Sequence, residues 1–239
     1  MSQKFGNKKV IIAGGSSGIG LATAAMLAAQ QAEVTITGRN ADKLSQAASA
    51  YPGIRTATLN SCDRTETDAF FKTHGPFDHL VIALSGAKGG GKFADLSLQD
   101  LRDGFEGKFW PHLNTLQAAL PYVSKGGSIT LVTAVSAISQ QPGVSGLAAI
   151  NGALELMIPS IAREIQPLRI NAVSPGVVNT PWWDFLPASA KQEAFNGYAA
   201  ETPVGRVGEP EEVAETILFL MGNGNITGTI IRCDGGLGL

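Results

Sequence analysis

The stretch of this sequence best suited to chemistry is Gly14-Gly15-Ser16-Ser17-Gly18-Ile19-Gly20. Gly14 permits a tight turn, and Gly18 and Gly20 allow backbone and helix to approach a pyrophosphate closely. A helix opening at Gly18 adds unpaired N–H groups and a partial positive charge, with Ser16, Ser17 and Ile19 in the same turn. A glycine triplet alone is weak evidence, but between a strand and a helix it predicts a dinucleotide site. About 20 residues further on, a protein preferring NAD carries an acid for the ribose hydroxyls. Gly38-Arg39-Asn40 stands there instead. Gly38 cannot repel a 2′-phosphate, and the planar Arg39 guanidinium suits binding one. The expected cofactor is NADP(H), with Asn40 beside it. The alternative is an ordinary solvated arginine.

The elements that must position these residues follow from the hydrophobic rhythm. Short β-branched runs at 9–13, 33–37, 55–59, 79–84, 129–133, 169–173 and 229–232 alternate with helical patterns at 18–29, 41–50, 66–73, 98–123, 146–165 and 211–221. That alternation predicts an α/β fold, a doubly wound Rossmann-type parallel sheet with helices on both faces. Ser97-x-x-Asp100 reads as a cap for the fourth helix. Pro111 and Pro159 should bend the fourth and fifth. No repeat, linker or boundary divides 1–239, which reads as one domain. Two loops stand out: 85–92, with Lys88 and Lys92 among glycines, and 179–202, expected to be a substrate lid.

Bulk composition narrows the partners. The 239 residues carry a formal net charge of −2, which gives no basic footprint for nucleic acid. Only 16% are charged, against 44% hydrophobic. So low a charged fraction predicts surface covered by a subunit partner. No apolar run approaches the ~18 residues of a membrane span, and no signal peptide is evident. Cys62 and Cys233 show no metal or redox spacing, so no metal is expected, and a reducing cytoplasm fits best.

Several motifs in order now resemble the short-chain dehydrogenase/reductase family over essentially the whole chain. The glycine motif appears as Ala13-Gly14-x-x-x-Gly18-Ile19-Gly20, the sixth strand and its turn as RINAVSPG (169–176), and the C-terminal signature as 202–220 and 226–236. The resemblance implies seven strands, and a homodimer or homotetramer built on the fourth and fifth long helices. It also implies that Pro175, Gly176, Val178 and Thr180 lie beside the nicotinamide, with Thr180 holding its carboxamide.

The same resemblance exposes four departures. The family's proton-donating tyrosine falls on Leu147, its lysine on Asn151, its serine on Ala134 and its helix asparagine on Lys108. The family's Asn-Asn-Ala-Gly is replaced by Ala83-Leu84-Ser85-Gly86, which puts Ser85 and Gly86 near the nicotinamide. Lysine and asparagine have thus traded positions, which predicts a Lys108–Asn151 polar pair beside the nicotinamide ribose. The alternative is an unrelated surface lysine and a helix-facing asparagine. Ser136, two residues beyond Ala134, and His112, four after Lys108 on the same helical face, are further acid/base candidates. Each has an ordinary packing role as its alternative. Trp182, Trp183, Phe185 and Phe195 would wall an apolar site, or else pack the lid. Two functions follow. One is an atypical NADP(H)-dependent oxidoreductase passing hydride to a small apolar carbonyl, quinone or imine. The other is a non-catalytic NADP(H)-binding regulatory or scaffold protein. A lyase or isomerase using the same pocket is a weaker third.

Overall fold

Seven runs rich in aliphatic residues form one parallel sheet. They are β1 (Lys9–Ala13), β2 (Glu33–Gly38), β3 (Arg55–Thr58), β4 (Phe77–Ile82), β5 (Val123–Val132), β6 (Arg169–Pro175) and β7 (Ile230–Cys233), in the order β3-β2-β1-β4-β5-β6-β7. The structure is a computed structural model that describes residues 4–86 and 88–239. Alternation along each strand divides the core between the two faces. Val10 and Ile12 of β1 pack in one layer, with Leu27, Ile36 and Ile217; Ile11 and Ala13 pack in the other, with Leu80, Leu131 and Ile158. A sheet buried on both faces needs such near-continuous apolar strands.

Helices α1 (Gly18–Ala29), α2 (Ala41–Ala50), α3 (Arg64–His74), α4 (Leu98–Gly104), α5 (Trp110–Ala119), α6 (Ser145–Glu164), α7 (Ala188–Glu201) and α8 (Pro210–Gly222) connect the strands. Their starts obey local chemistry. The Asn40 and Asp63 side chains accept the Lys43 and Glu66 N–H groups at 2.9 and 3.0 Å, and the Ser97 hydroxyl accepts from Asp100 at 3.3 Å. In α6, Ile150, Leu154, Ile158 and Ala162 recur every four residues and are buried, which fixes the helix face turned to the sheet.

Three expectations need correction. The helix expected over 98–123 is not continuous: α4 passes into a π-helical turn at Phe105–Phe109 before α5, and β5 already begins at Val123. Pro111 supplies the reason, because without an N–H it cannot close the bond to the carbonyl four residues back. The Trp110 N–H instead reaches the Phe105 carbonyl. Pro159 lies inside α6. The segment 179–202 is largely ordered into a 3₁₀ turn (Pro181–Phe185) and α7. Helix α7 buries only Phe195, so its sequence shows little of an apolar stripe. Finally, α6 is long and apolar enough to cross a membrane by length and composition alone; here it lies against the sheet, and its Leu154 and Ile158 belong to the core.

Candidate active site

The carboxyl ends of the strands open into a cavity of about 570 Å³. It spans the ends of β1 and β4, where the chain order of the strands reverses; open α/β sheets bind ligands at this point. The turn from β1 into α1 forms its floor. Gly14 has φ +82°, and a Cβ there would meet the Ala83 carbonyl oxygen at 2.5 Å. A Cβ on Gly20 would collide with the Gly14 carbonyl, so α1 presses directly on the loop. Ser17 is the N-cap but makes no side-chain bond to the first turn. Ser16, Ser17, Gly18 and Ile19 line the cavity, which directs free N–H donors and the positive end of α1 into it.

At one end stand Arg39, Asn40 and Lys43. Neither cation makes an ion pair among the described residues. The sequence reading missed Lys43. Its signal was the spacing from Asn40: the cap holds the Lys43 N–H, which places this ammonium one turn from Arg39. Pro175, Gly176, Val178 and Thr180 also line the cavity, as do Ser85 and Gly86. The Trp182 indole N–H donates to the Gly86 carbonyl at 3.2 Å, tying the 3₁₀ turn to the segment after β4. Trp182, Trp183 and Tyr198 line the cavity. Two expected wall residues do not: Phe195 is buried, with its ring 5.6 Å from Trp183, and Phe185 is 63% exposed.

The four positions that the resemblance marks as departures lie along one cavity. Lys108, Ala134, Leu147 and Asn151 all line the cavity, together with Ser136. The expected direct Lys108–Asn151 pair does not form. Lys108 lies in the π turn, and its Nζ donates to the Thr133 carbonyl at 3.2 Å, where β5 leaves the sheet. Asn151 Nδ2 donates to the Ser136 Oγ at 3.1 Å and the Leu147 carbonyl at 3.0 Å. Its Oδ1 is buried with no partner among the described residues. Part of the Lys108 side chain faces the cavity, but desolvation of the ammonium lowers its pKa to about 8, opposed by the attraction of Glu155.

Glu155 was not singled out from the sequence, although it lies one helical turn beyond Asn151. The hydroxyls of Thr133 and Ser174 both donate to its Oε1, each at 2.7 Å. His112 is a correction. It is fully buried and absent from the cavity wall, with Nδ1 against the Lys108 carbonyl at 2.8 Å. Desolvation and the Lys108 charge lower its pKa to about 3, so it is neutral at physiological pH. The π turn explains the difference: it breaks the helical phase that would set Lys108 and His112 on one face. Lys88 reaches the cavity but is held by Asp103 at 2.6 Å and Asp100 at 3.4 Å; Lys92 is exposed.

A glycine turn that a Cβ would fill, a helix start without a side-chain cap and two cations with no ion pair among the described residues, all along one cavity, fit a dinucleotide bearing an extra phosphate. The comparisons agree in kind. Residues 13–238 match the family model described as Enoyl-(Acyl carrier protein) reductase. The 3-oxoacyl-[acyl-carrier-protein] reductase FabG of Thermotoga maritima is 32% identical, over 96% of this chain and 97% of its own. A small-chain dehydrogenase solved in complex with NADPH superposes with a TM-score of 0.82 at 28% identity, covering 97% of this chain and 98% of that one. MalC Reductase/Diels-Alderase from Malbranchea aurantiaca gives a TM-score of 0.89 at 27% identity, covering 99% and 98%. With the model spanning nearly the whole chain and the sheet order, glycine turn and cavity all in place, this protein belongs to the short-chain dehydrogenase/reductase family.

Proposed function

We propose that this chain is an atypical NADP(H)-dependent oxidoreductase that reduces a small apolar carbonyl, quinone or imine. The observation that carries the reading is Lys108, a desolvated ammonium on the cavity wall where the family's proton-handling groups are otherwise replaced by Leu147, Asn151 and Ala134. NADP(H), when bound, supplies the hydride. Gly14, Ser16–Gly20 and the first turn of α1 would hold the pyrophosphate, Arg39 and Lys43 the 2′-phosphate, and Pro175, Gly176, Val178 and Thr180 the nicotinamide end. The NADPH complex of a superposable family member supports this assignment.

The chain's own residues then have separate tasks. Trp182, Trp183 and Tyr198 shelter an apolar substrate from water. Lys108, with a pKa lowered to about 8 by desolvation, polarises the substrate heteroatom and gives it a proton; a positioned acid contributes about 10²–10⁴ in rate. Asn151 holds Ser136, which keeps its own hydroxyl proton for a developing negative charge, worth ~10²–10³. Positioning in the cavity adds a further term of at least that size. Leu147 adds no second proton donor beside Lys108, so quinones, imines and polarised carbonyls, which need least acid assistance, are favoured over unactivated ketones. Exposed Leu156 (82%) and Trp110 (47%) on α6 and α5 support a homodimer or homotetramer at those helices.

The test is a fluorescence titration with NADPH followed by turnover on a panel of quinones, imines and carbonyls. Lys108→Ala should abolish whatever turnover is found; an unchanged rate would acquit that residue. The proton-free Leu147 and Ala134 favour a second reading, a non-catalytic NADP(H)-binding regulatory or scaffold protein. Tight NADPH binding with no turnover across the panel would select it.

A further inference from the structure

Behind the cavity wall lies a polar cluster to which the reading above gives no task. Thr133 follows the last residue of β5, Ser174 lies in β6, and Glu155 projects from α6 between them. Thr133 and Ser174 are 3% and 1% exposed. Their hydroxyls converge on one oxygen of Glu155, and the Thr133 N–H donates to the Val173 carbonyl at 2.9 Å, continuing the β5–β6 pairing. A long, flexible carboxylate is thereby fixed to the two strands. On the cavity side of the same residue, the Thr133 carbonyl accepts from Lys108 Nζ. Thr133 thus holds both charges, the anion by its side chain and the cation by its main chain.

The other charged or titratable groups around Lys108 do not compete for this role. His112, next along α5, is neutral through burial. Lys88, reaching the cavity from the segment after β4, is engaged by Asp100 and Asp103 of α4. Glu155, from α6, is the anion whose attraction acts on Lys108. A partly desolvated lysine loses its proton more readily than a free one, and an acid that arrives deprotonated cannot donate.

We infer that Glu155 is a positioning residue: clamped by Thr133 and Ser174, it keeps Lys108 protonated at the cavity wall. This rests on the assignment of Lys108 as the acid, but its test needs neither cofactor nor substrate. No covalent bond changes; Glu155 acts on the proton equilibrium of Lys108 from behind the wall. Only neutral amines react with acetic anhydride. Brief labelling across pH 6–10, with the Lys108 peptide quantified by mass spectrometry against the exposed Lys125, therefore follows that equilibrium directly.

In the wild type, Lys108 reactivity should rise with an inflection at about pH 8. Glu155→Gln should lower the inflection by about one pH unit, making Lys108 about tenfold more reactive below it. Glu155→Asp, which keeps the charge, should restore most of the wild-type profile. Should Glu155→Gln fail to fold, Ser174→Ala, which loosens the clamp, should move the inflection in the same direction by less. An inflection unmoved in Glu155→Gln, or unmoved in Ser174→Ala where that variant stands in, overturns the inference. So does a Glu155→Asp shift as large as that of Glu155→Gln. Loss of turnover in Lys108→Ala bears on the acid assignment alone, so the two failures remain distinct.

Discussion

Replacing Lys108 with methionine should stabilise the protein near neutral pH, and the gain should fade in alkali. A lysine whose pKa falls from 10.5 to about 8 on folding forfeits ~3 kcal/mol of stability while it remains charged. The sign follows from the depressed folded value. The penalty is fully present below about pH 8, where both states are protonated, and it declines as pH rises toward the unfolded value near 10.5 and the unfolded chain also loses its proton. Because part of the side chain faces the cavity, water screens the ammonium, and about 2 kcal/mol is the better figure. Methionine keeps the length and removes the charge. It also leaves the Thr133 carbonyl without its donor, at a cost of about 1 kcal/mol, but that cost is the same at every pH. The measurement is therefore a difference: urea unfolding of wild type and Lys108→Met at pH 6.5 and pH 10, at one protein concentration. Because some of the penalty persists at pH 10, the variant's stability relative to wild type should be higher at pH 6.5 by about 1 kcal/mol, or roughly 2–4 °C in melting temperature. Equal effects at both pH values would mean that the ammonium is well solvated, and the acid assignment would lose its physical basis.

Other expectations concern the cofactor and the lid. Arg39→Ala and Lys43→Ala should each weaken NADPH binding by roughly 10–100-fold while leaving NADH binding nearly unchanged, because a charge-assisted bond to the extra phosphate is worth ~1.5–3 kcal/mol; calorimetric titration with both nucleotides measures this, and equal losses would place the cations elsewhere. Gly20→Val should abolish binding of both nucleotides, since any side chain there meets the Gly14 carbonyl; thermal shift with saturating NADPH reads the effect. Trp182→Phe removes the bond to Gly86 but keeps an aromatic wall. On an accepted substrate it should raise KM several-fold with little change in kcat, and a loss in kcat alone would argue that Trp182 does not order the lid.

Much of this architecture was readable directly. Local rules decide where α1 and α2 begin, and the sequence places both helices and β1 residue for residue. Glycines at 14, 18 and 20 dictate a close backbone approach whatever surrounds them, so the phosphate turn and its neighbour Arg39 are legible from spacing alone. The site's other half is different in kind. The partners of Lys108 depend on where β5 ends and on a π turn that Pro111 induces, and its acidity depends on Glu155, 47 positions away in the chain. His112 appeared to share a helical face with Lys108 only because periodicity assumes an unbroken helix. Sequence alone therefore determined the sheet and the cradle, since these follow from local sterics and period, while the resemblance to the family singled out positions 108, 134, 147 and 151. Which replacements meet, and which of them is desolvated enough to exchange a proton near neutral pH, was decided only by tertiary packing, because burial and charge coupling belong to the space between elements rather than to any one of them.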